Sequence, residues 1–447
     1  MFNKILIANR GEIAVRIIRA CRNMGIRSVA VYSKEDAQSL HVQLADQRIC
    51  IGEGPARHSY LNMDSIITAA RNMGADAIHP GFGFLSENSE FVRKCEANGI
   101  TFIGPEADVI DKMGNKSKAR TTMMEAGVPV VPGTKEPVYD AEEGRKLADA
   151  IGYPVMIKAS SGGGGKGMRV ARSSDEFEFH FNMAQRESAN AFGDDTMYIE
   201  KYIENPRHVE IQIMADKQGN VVALGERDCS VQRNHQKLIE ESPSPAINEE
   251  TREKMNQYAV LAAKTVGYTN AGTIEFIVDG NGDFYFMEMN TRIQVEHGVT
   301  EMVTGTDLII EQIRVAMDEP LSFTQEDIAI KGHAIECRIN AEIPEKNFMP
   351  SPGVVENMHL PAGNGVRVDT ALYTGYRIPS EYDSMIAKVI VHAPDREAAL
   401  RKMRSALDEM VILGVDTNLD FQYQIMKHPT FVNGEADTGF IEKLMNV

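Results

Sequence analysis

Residues 154–170 read PVMIKASSGGGGKGMRV, a stretch in which four consecutive glycines are followed closely by Lys166. Glycine gives up more backbone freedom on ordering than any other residue, so such a run is costly unless its backbone must approach a ligand closely. A P-loop is excluded, because Ser160 stands at the position of its first glycine and Gly167 replaces the required Ser or Thr. The residues on both sides of the glycines have strand-like patterns. We therefore predict a β-hairpin whose tip exposes N–H groups that can fold over phosphates.

The composition indicates an acidic protein with several domains. A length of 447 residues is too great for one core and predicts roughly two to four domains. The chain has 47 Lys and Arg against 64 Asp and Glu, and the formal net charge of −17 disfavours nucleic acid or an anionic membrane as a partner. No run approaches the ~20 apolar residues of a membrane span, and Arg10 and Glu12 interrupt the first apolar stretch, which argues against a signal peptide. The five widely spaced cysteines predict reduced thiols in a cytoplasmic protein.

The order of strand-like and helix-like segments predicts a mixed α/β and α+β fold. Strands alternate with helices near the start of the chain, which indicates a doubly wound parallel sheet. Ligands of such sheets bind at the carboxyl ends of the strands, where ANRGE (8–12) and HPGFGFLSEN (79–88) fall. The predicted divisions are a parallel-sheet domain at 1–114, a helical linker at 115–130, a small domain with the glycine loop at 131–203, a β-rich core at 204–330 and a C-terminal domain at 331–447.

The hairpin AGTIEFIVDGNGDFYFMEMNTR (271–292) predicts a metal site. A four-residue loop at 280–283 would place Glu275 directly opposite Glu288, with Asn290 on the same face. Two carboxylates ~5 Å apart across a ladder repel each other, so a cation is expected to offset the repulsion. Carboxylate and amide oxygens suit Mg²⁺ or Mn²⁺, which often share their ligands with substrate phosphates. The alternative is that this face of the hairpin is solvated.

The next segment, TRIQVEH (291–297), predicts an anion site. If the segment is extended, Arg292, Gln294 and Glu296 point to one side. The planar guanidinium of arginine binds a carboxylate-like anion at two points, and a neighbouring glutamate can act as a general base. Beside a metal–phosphate site, this combination suits an oxyacid that is to be phosphorylated. The alternative is an edge strand with solvated charges.

The strand GHAIECRIN (332–340) places Arg338 and Glu336 on one side and Ile335, Cys337 and Ile339 on the other. From the residues alone, Arg338 either pairs with Glu336 or another nearby acid, or faces a substrate. The sequence leaves both interpretations open.

Five motifs, considered together, resemble a known family. They are, in chain order, KASSGGGGKGMRV, EKYIENPRHVEIQ, ERDCSVQRNHQK, EMNTRIQVEHGVTE and ECRINAE. The set closely resembles biotin carboxylases, the ATP-grasp subunits of bacterial acetyl-CoA carboxylases, and the similarity runs from ILIANRGEIA to GVDTNLDF. It implies an ATP-grasp fold with a glycine-loop lid. It also implies ATP- and bicarbonate-dependent carboxylation of biotin through carboxyphosphate, by a ligase that forms C–N bonds.

The resemblance implies a role for each matching residue. For ATP they are Lys116, Lys158, Gly164, Gly165, Glu200, Lys201, Ile203, His208, Gln232, His235, Lys237, Glu275, Ile277 and Glu288. For two divalent ions they are Glu275, Glu288 and Asn290, and for bicarbonate they are Lys237, Arg292, Gln294 and Val295. For biotin they are Arg338 and Phe82, and the catalytic residues are Lys237, Arg292, Glu296 as the base, and Arg338.

The implied partners are a biotin carboxyl carrier protein, carboxyltransferase subunits and a second copy of the chain. Biotin is expected as a carrier-bound substrate that is not attached to this chain. Three other functions stay open: the carboxylase component of a pyruvate or propionyl-CoA carboxylase, an ATP-grasp ligase with an amine acceptor, and a non-catalytic nucleotide-binding module. The last is disfavoured because Glu275 and Glu288 are both present.

Four residues depart from the pattern of the resembling family. Phe82 replaces a frequent tyrosine, which puts a hydroxyl contact to biotin in doubt. Gly298 replaces the usual proline and is expected to loosen the turn after Glu296. Asn115 and Asn234 stand where aspartate and arginine are common.

Overall fold

The computed structural model of the chain describes residues 1–159, 168–192 and 194–445. These residues form two compact units. The first comprises Met1–Val128, Arg207–Ile277 and Glu288–Val447, and the second comprises Pro129–Pro206 and Val278–Met287.

The strands are β1 (Lys4–Ile7), β2 (Arg27–Ser33), β3 (Gln47–Gly52), β4 (Ala77–His79), β5 (Thr101–Phe102), β6 (Val155–Ala159), β7 (Met168–Ala171), β8 (Met197–Lys201), β9 (Arg207–Ala215), β10 (Val221–Arg233), β11 (Gln236–Ser242), β12 (Asn270–Val278), β13 (Phe284–Asn290), β14 (His333–Asn340), β15 (Glu342–Ile343), β16 (Met349–Pro350), β17 (Gly353–Val354), β18 (Asn357–His359), β19 (Val366–Thr370), β20 (Arg377–Ile378), β21 (Met385–Ala393) and β22 (Val411–Leu413). The α-helices are α1 (Gly11–Asn23), α2 (Leu40–Leu44), α3 (Met63–Met73), α4 (Ser89–Ala97), α5 (Ala107–Gly114), α6 (Lys116–Glu125), α7 (Ala141–Ile151), α8 (Ser174–Phe192), α9 (Glu249–Val266), α10 (His297–Thr304), α11 (Leu308–Ala316), α12 (Arg396–Glu409), α13 (Leu419–Lys427), α14 (Pro429–Val432) and α15 (Phe440–Met445).

A five-stranded parallel sheet forms the start of the first unit, in the order β3-β2-β1-β4-β5. Its central strand β1 is buried on both faces, because Ile5 and Ile7 pack into one core and Leu6 into another. A parallel sheet covered on both faces is the arrangement expected of a doubly wound domain. The predicted parallel sheet is therefore confirmed, although the sequence pattern missed β3 and α2.

The first unit also contains most of an eight-stranded sheet, in the order β13-β12-β9-β10-β11-β14-β21-β19. Antiparallel pairing of β11 with β14 joins residues before 330 to residues after it in the same sheet. On β14, Ile335, Cys337 and Ile339 pack into the core under α12, as their alternation predicted. Glu336 and Arg338 therefore project from the opposite face of the sheet.

The hairpin between β12 and β13 has a shorter loop than predicted. The N–H of Asp279 donates to the carbonyl of Asp283 at 2.9 Å, and Gly282 adopts a φ of +87°. A three-residue loop with glycine in the left-handed region is a common solution for antiparallel strands. Because the hairpin closes between Asp279 and Asp283, the predicted register with Asp279 opposite Phe284 is wrong. That register was the basis for setting Glu275 directly opposite Glu288, although Asn290, two residues beyond Glu288 on β13, still binds Glu275 at 2.7 Å.

The second unit contains a three-stranded antiparallel sheet in the order β7-β6-β8. Phe177 and Phe181, one turn apart on α8, are fully buried in its core. The pairing of Lys158 with Met168 confirms that two antiparallel strands flank the glycine loop. The loop itself, with Gly164 and Gly165, lies outside the described residues.

None of the helices described here has both the length and the apolar character that a bilayer span requires.

Candidate active site

Charged side chains from four strands of the large sheet lie close together in the first unit. Glu275 projects from β12, Glu210 from β9, Lys237 from β11 and Arg338 from β14. Charged side chains are almost never fully buried unless they are paired, and Glu210 and Glu275 are buried here. The contacts among these groups, and with the segment before α10, define the candidate site.

Lys237 lies among three carboxylates. Its Nζ is 2.6 Å from Oε2 of Glu210, 2.6 Å from Oε1 of Glu296 and 3.2 Å from Oε1 of Glu275. Burial alone would lower the pKa of the Lys237 amine, but the surrounding acidic groups raise it well above its ordinary value. The amine therefore stays a cation, which suits the binding of anionic oxygens.

Glu296 lies between two cations. Oε1 accepts from Lys237, and Oε2 accepts from Nη2 of Arg338 at 3.0 Å. Burial alone would raise the pKa of this carboxyl group, but Lys237 and Arg338 outweigh burial and hold the pKa well below its ordinary value. While Lys237 and Arg338 both bind it, Glu296 is thus a charged and weakly basic carboxylate.

Arg338 also binds Glu240, which is its acidic partner on the adjacent strand. Its Nε donates to Oε1 of Glu240 at 2.6 Å, and its Nη2 contacts the same oxygen. The ion pair proposed from the sequence exists, although with Glu240 and Glu296 in place of Glu336. About 16% of the Arg338 side chain stays exposed.

Glu275 contacts three other side chains as well as Lys237. Asn290 Nδ2 donates to its Oε1 at 2.7 Å, Gln294 Nε2 donates to the same oxygen at 2.9 Å, and His208 Nε2 lies 3.1 Å from Oε2. Burial alone would raise the pKa of Glu275, but Lys237 and His208 lower it far below its ordinary value. A charged carboxylate is therefore available at this point.

The segment 291–296 is not the extended strand that was predicted. It forms a bend and a turn that lead into α10. Arg292 binds Glu87 and Asn290: its Nε donates to Oε2 of Glu87 at 2.9 Å and its Nη2 donates to Oδ1 of Asn290 at 2.9 Å. Gln294 and Glu296 still reach the same group of side chains, since each contacts a partner of Lys237 or Lys237 itself.

Several predicted residues of the first unit lie outside this group of contacts. Glu288 pairs with Lys116 at 2.9 Å, and the Lys116 side chain is 82% exposed. Gln232 pairs with Lys237 along the ladder of β10 and β11, and His235 lies exposed in the turn between those strands. Phe82 and Ile277 are partly buried, and the carbonyl of Phe82 accepts from Asn9.

In the second unit, the described residues predicted for ATP lie on β6, on β8 or just after β8. Lys158 Nζ is 2.6 Å from Oε1 of Glu200. Lys201 Nζ donates to the carbonyls of Gly152 and Tyr153 at 2.8 and 2.9 Å. Ile203 follows β8 and is partly buried.

Family comparisons agree over almost the whole length of the chain. The model for the biotin carboxylase N-terminal domain matches residues 1–110, and the model for the biotin carboxylase C-terminal domain matches 336–443. Residues 115–324 match the ATP-binding domain of the carbamoyl-phosphate synthase L chain. Biotin carboxylase 1 of Bacillus subtilis is 59% identical over 443 residues, which cover 99% of this chain and 98% of the relative. The chain belongs to the biotin carboxylase family.

Two other members illustrate the range of the family. A pyruvate carboxylase subunit from Methanothermobacter thermautotrophicus is 54% identical over 443 residues, covering 99% of this chain and 90% of the relative. The crystal structure of the biotin carboxylase domain dimer of the Hydrogenobacter thermophilus 2-oxoglutarate carboxylase, with MgADP, ADP and bicarbonate, is 50% identical with a TM-score of 0.90. The match covers 100% of this chain and 98% of that one. As a family member, the chain has the ATP-grasp fold and is an ATP-dependent ligase that forms C–N bonds.

Three departures from the family pattern have local structural roles. Asn115 caps α6, because its Oδ1 accepts from the N–H of Lys118 at 2.9 Å. Asn234 adopts a φ of +49° in the turn between β10 and β11, which asparagine tolerates better than most residues. Gly298 lies in the first turn of α10, so the chain after Glu296 is helical and not the looser turn we expected.

Sequence reasoning missed three buried residues that hold the site together. Arg227 and Glu210 are bonded to each other through Nε and Oε1 at 2.7 Å, and Glu240 binds Arg338. All three are fully buried. A signal was present for Glu210, which is a charged residue among the apolar residues of β9, and such a charge needs a buried partner.

Proposed function

We propose that the chain uses ATP and bicarbonate to carboxylate biotin that is attached to a separate carrier protein. One observation carries this proposal: Glu296 is a buried carboxylate held between Lys237 at 2.6 Å and Arg338 at 3.0 Å. A base with a cation on each side suits the activation of an anion such as bicarbonate.

In the first step, an oxygen of bicarbonate attacks the γ-phosphorus of ATP, the bond to ADP breaks, and carboxyphosphate forms. We assign Lys237, Arg292, Gln294 and the backbone of Val295 to the bicarbonate, and Glu296 to its proton. Glu296 is a weak base while both cations pair with it. Binding of Lys237 to an anionic substrate would remove part of that stabilisation and raise the pKa of Glu296 toward its ordinary value.

We assign ATP binding by the family pattern, with each set of residues in its own unit. In the first unit the set is Lys116, His208, Gln232, His235, Lys237, Glu275, Ile277 and Glu288. In the second unit it is Lys158, Gly164, Gly165, Glu200, Lys201 and Ile203. Lysines near a phosphoryl group in transfer stabilise the charge that spreads over its oxygens.

The donors for a divalent cation are Glu275, Glu288 and Asn290. Their chemistry fits Mg²⁺ or Mn²⁺, since these ions prefer carboxylate and amide oxygens, and Glu275 is charged in the described state. We propose two ions, which would neutralise phosphate charge when bound. Glu288 lies on the strand that carries Asn290, two residues away, so both side chains leave the same face of β13.

In the second step, carboxyphosphate separates into CO₂ and phosphate, and the phosphate takes the proton from N1′ of biotin. The resulting anion attacks CO₂. We assign Arg338 to the ureido oxygen, where negative charge develops, and Phe82 to the biotin surface without a hydroxyl contact. Water must be excluded while carboxyphosphate exists, because water would hydrolyse it.

We place the reaction in acetyl-CoA carboxylase, as a cytoplasmic homodimer that works with a carrier and carboxyltransferase subunits. The alternative is a pyruvate or propionyl-CoA carboxylase. Relatives named for biotin carboxylase and for pyruvate carboxylase are 59% and 54% identical, so identity alone favours the first only slightly. The test is to offer the chain two purified carrier proteins, one from an acetyl-CoA carboxylase and one from a pyruvate or propionyl-CoA carboxylase. Preferential carboxylation of one carrier would distinguish the two assignments.

The deciding experiment measures ADP release by the purified chain with Mg²⁺ and ATP. We expect slow release that depends on bicarbonate and a faster rate when free biotin is added. Replacing biotin with ammonium should give no acceleration. A rate of ADP release that is the same with and without bicarbonate, or that rises with ammonium, would contradict the proposal. Acceleration by ammonium would favour an amine ligase. No release under any condition would favour a nucleotide-binding module.

A further inference from the structure

Arg227 lies in the middle of β10 and is fully buried. Its Nε donates to Glu210 Oε1 at 2.7 Å. Its Nη1 donates to Gln212 Oε1 at 2.7 Å and to Thr300 Oγ1 at 3.0 Å. Its Nη2 donates to Thr273 Oγ1 at 3.2 Å and to Gln294 Oε1 at 2.7 Å. An arginine has five N–H donors, and here five acceptors receive them.

The bond to Gln294 determines which way its amide group points. The guanidinium can only donate, so the Gln294 carbonyl oxygen must face Arg227. The amide nitrogen then faces the other way and donates to Glu275 Oε1 at 2.9 Å. Without Arg227 the amide could rotate, and its oxygen would meet the negative charge of Glu275 or the substrate anion.

The bond to Glu210 acts on Lys237 in a similar way. Glu210 uses Oε1 for Arg227 and Oε2 for Lys237 at 2.6 Å, so one carboxylate joins the two cations. A carboxylate bound on both oxygens has a single orientation, and that orientation locates the Lys237 amine. Buried ion pairs contribute little net stability compared with apolar residues, so stability alone is a weak reason for this arrangement.

We propose that Arg227 is a positioning residue for bicarbonate activation, acting through the Gln294 amide and, through Glu210, on Lys237. This inference rests on the proposed function. Arg227 itself need not touch any substrate. Its loss should weaken the use of bicarbonate more than the use of ATP, because Gln294 and Lys237 make up half of the bicarbonate set, whereas Lys237 is one of many residues assigned to ATP.

Arg227→Lys tests the inference, because lysine keeps the charge but replaces the five N–H donors of the planar guanidinium with a single ammonium group. We expect the KM for bicarbonate to rise about tenfold, the effect of one lost charge-assisted hydrogen bond, while the KM for ATP changes less than about twofold. The matched control is Arg396→Lys. Arg396 binds both oxygens of Glu241, at 2.7 and 3.0 Å, and has no bond to Gln294 or Glu210 in the described residues. Both variants should melt earlier, but only Arg227→Lys should change the bicarbonate KM.

A milder pair of variants decides the matter if Arg227→Lys does not fold. Thr300→Val removes one acceptor of Arg227, whereas Thr304→Val, one turn later on α10, removes a hydroxyl that binds the Thr300 carbonyl and Thr306. We expect a bicarbonate KM about twofold to threefold higher in Thr300→Val alone. Equal changes in both substrates' KM values, or an unchanged bicarbonate KM, would overturn the inference. Wild-type chain that releases ADP without regard to bicarbonate would instead overturn the proposed function, and this inference with it.

Discussion

Lys237 and Glu296 form a largely buried ion pair in which Nζ lies 2.6 Å from Oε1. The two residues come from different parts of the large-sheet region, one from β11 and the other from the turn before α10. The amine also contacts Glu210 and Glu275, so one cation balances part of the charge of three carboxylates. Three unpaired carboxylates would repel an anionic substrate, and the positive charge of Lys237 offsets part of that repulsion. Lys237 is therefore the central cation of the site.

Lys237→Gln should therefore reduce both activity and stability. Removing a cation next to developing phosphoryl charge is expected to lower bicarbonate-dependent ADP release about 10²-fold or more. The three carboxylates would lose their shared partner, which is expected to cost about 3–5 kcal/mol of unfolding free energy. The rates are measured by ADP release and the stability by urea unfolding. Lys254→Gln, at an exposed pair with Glu250, is the control and should change neither. A normal rate in Lys237→Gln would remove the residue from the mechanism.

Glu288→Gln should abolish ADP release at ordinary Mg²⁺ concentrations, because it removes a charge from the proposed cation ligands and keeps the shape of the side chain. The melting temperature should hardly change, since the partner Lys116 is 82% exposed and such pairs add little stability. Glu250→Gln, which breaks another exposed glutamate–lysine pair, is the matched control. Near-normal release in Glu288→Gln would show that the metal assignment is wrong.

Arg338→Gln should separate the two steps of the reaction. A donor aimed at charge that develops in the transition state contributes about 10²–10³ in rate, so biotin carboxylation should fall by that factor. ADP release without biotin should fall much less. Both rates are measured on the same preparation. Because Arg338 also binds Glu240 and Glu296, a melt is needed, with Arg396→Gln as the comparison for loss of a partly buried guanidinium. A parallel fall of both rates with an unchanged melt would assign Arg338 to phosphoryl transfer.

Asp36 should make stability depend on pH below 4. Burial alone would raise its pKa, but Arg10, bound at 2.6 and 2.8 Å, lowers it to about 2. The folded pKa lies below that of the unfolded chain, so the pair stabilises the protein above the unfolded value of 3.8. This contribution, about 2 kcal/mol, is lost as the pH falls toward 2. Asp36→Asn should lower the melting temperature clearly at pH 7 and less at pH 3. A difference that is equal at both pH values would contradict the ion-pair explanation.

The chain should carry no biotin of its own. Carrier domains present biotin on a lysine in a Met-Lys-Met turn, and the sequence contains no such tripeptide. Its nearest approach, Met426-Lys427-His428, ends α13. Avidin blotting of the chain, expressed with a biotin ligase, should be negative next to a positive carrier protein. A stoichiometric signal would show that substrate and enzyme occur on one chain.

The local pattern of apolar, polar and turn residues correctly predicted many of the helices and strands. Strands and helices alternate near the start of the chain as predicted, and the strands on either side of the glycine loop pair as predicted. Alternation on β14 correctly separated Arg338 from the core residues Ile335 and Cys337. These results depend on side-chain period and turn residues, which act over a few positions and can be read directly from the sequence.

Long-range partners could not be predicted in the same way. Arg338 pairs with Glu240, which is 98 positions away, and not with Glu336, which is two positions away. The one-residue difference in the loop at 280–283 also shows how a turn decides register, because glycine at position 282 permits the left-handed conformation of the shorter loop.

The sequence by itself determined the kinds of element, the family and the residue types of the site, because these depend on local periodicity and on motifs of adjacent residues. Only the tertiary structure decided which charges share a buried partner. Lys237, Glu210 and Glu296 meet because strands β9 and β11 lie near each other in one sheet and α10 begins beside them. Burial then makes every unpaired charge costly, so the fold selects one set of ion pairs from the many that the sequence allows.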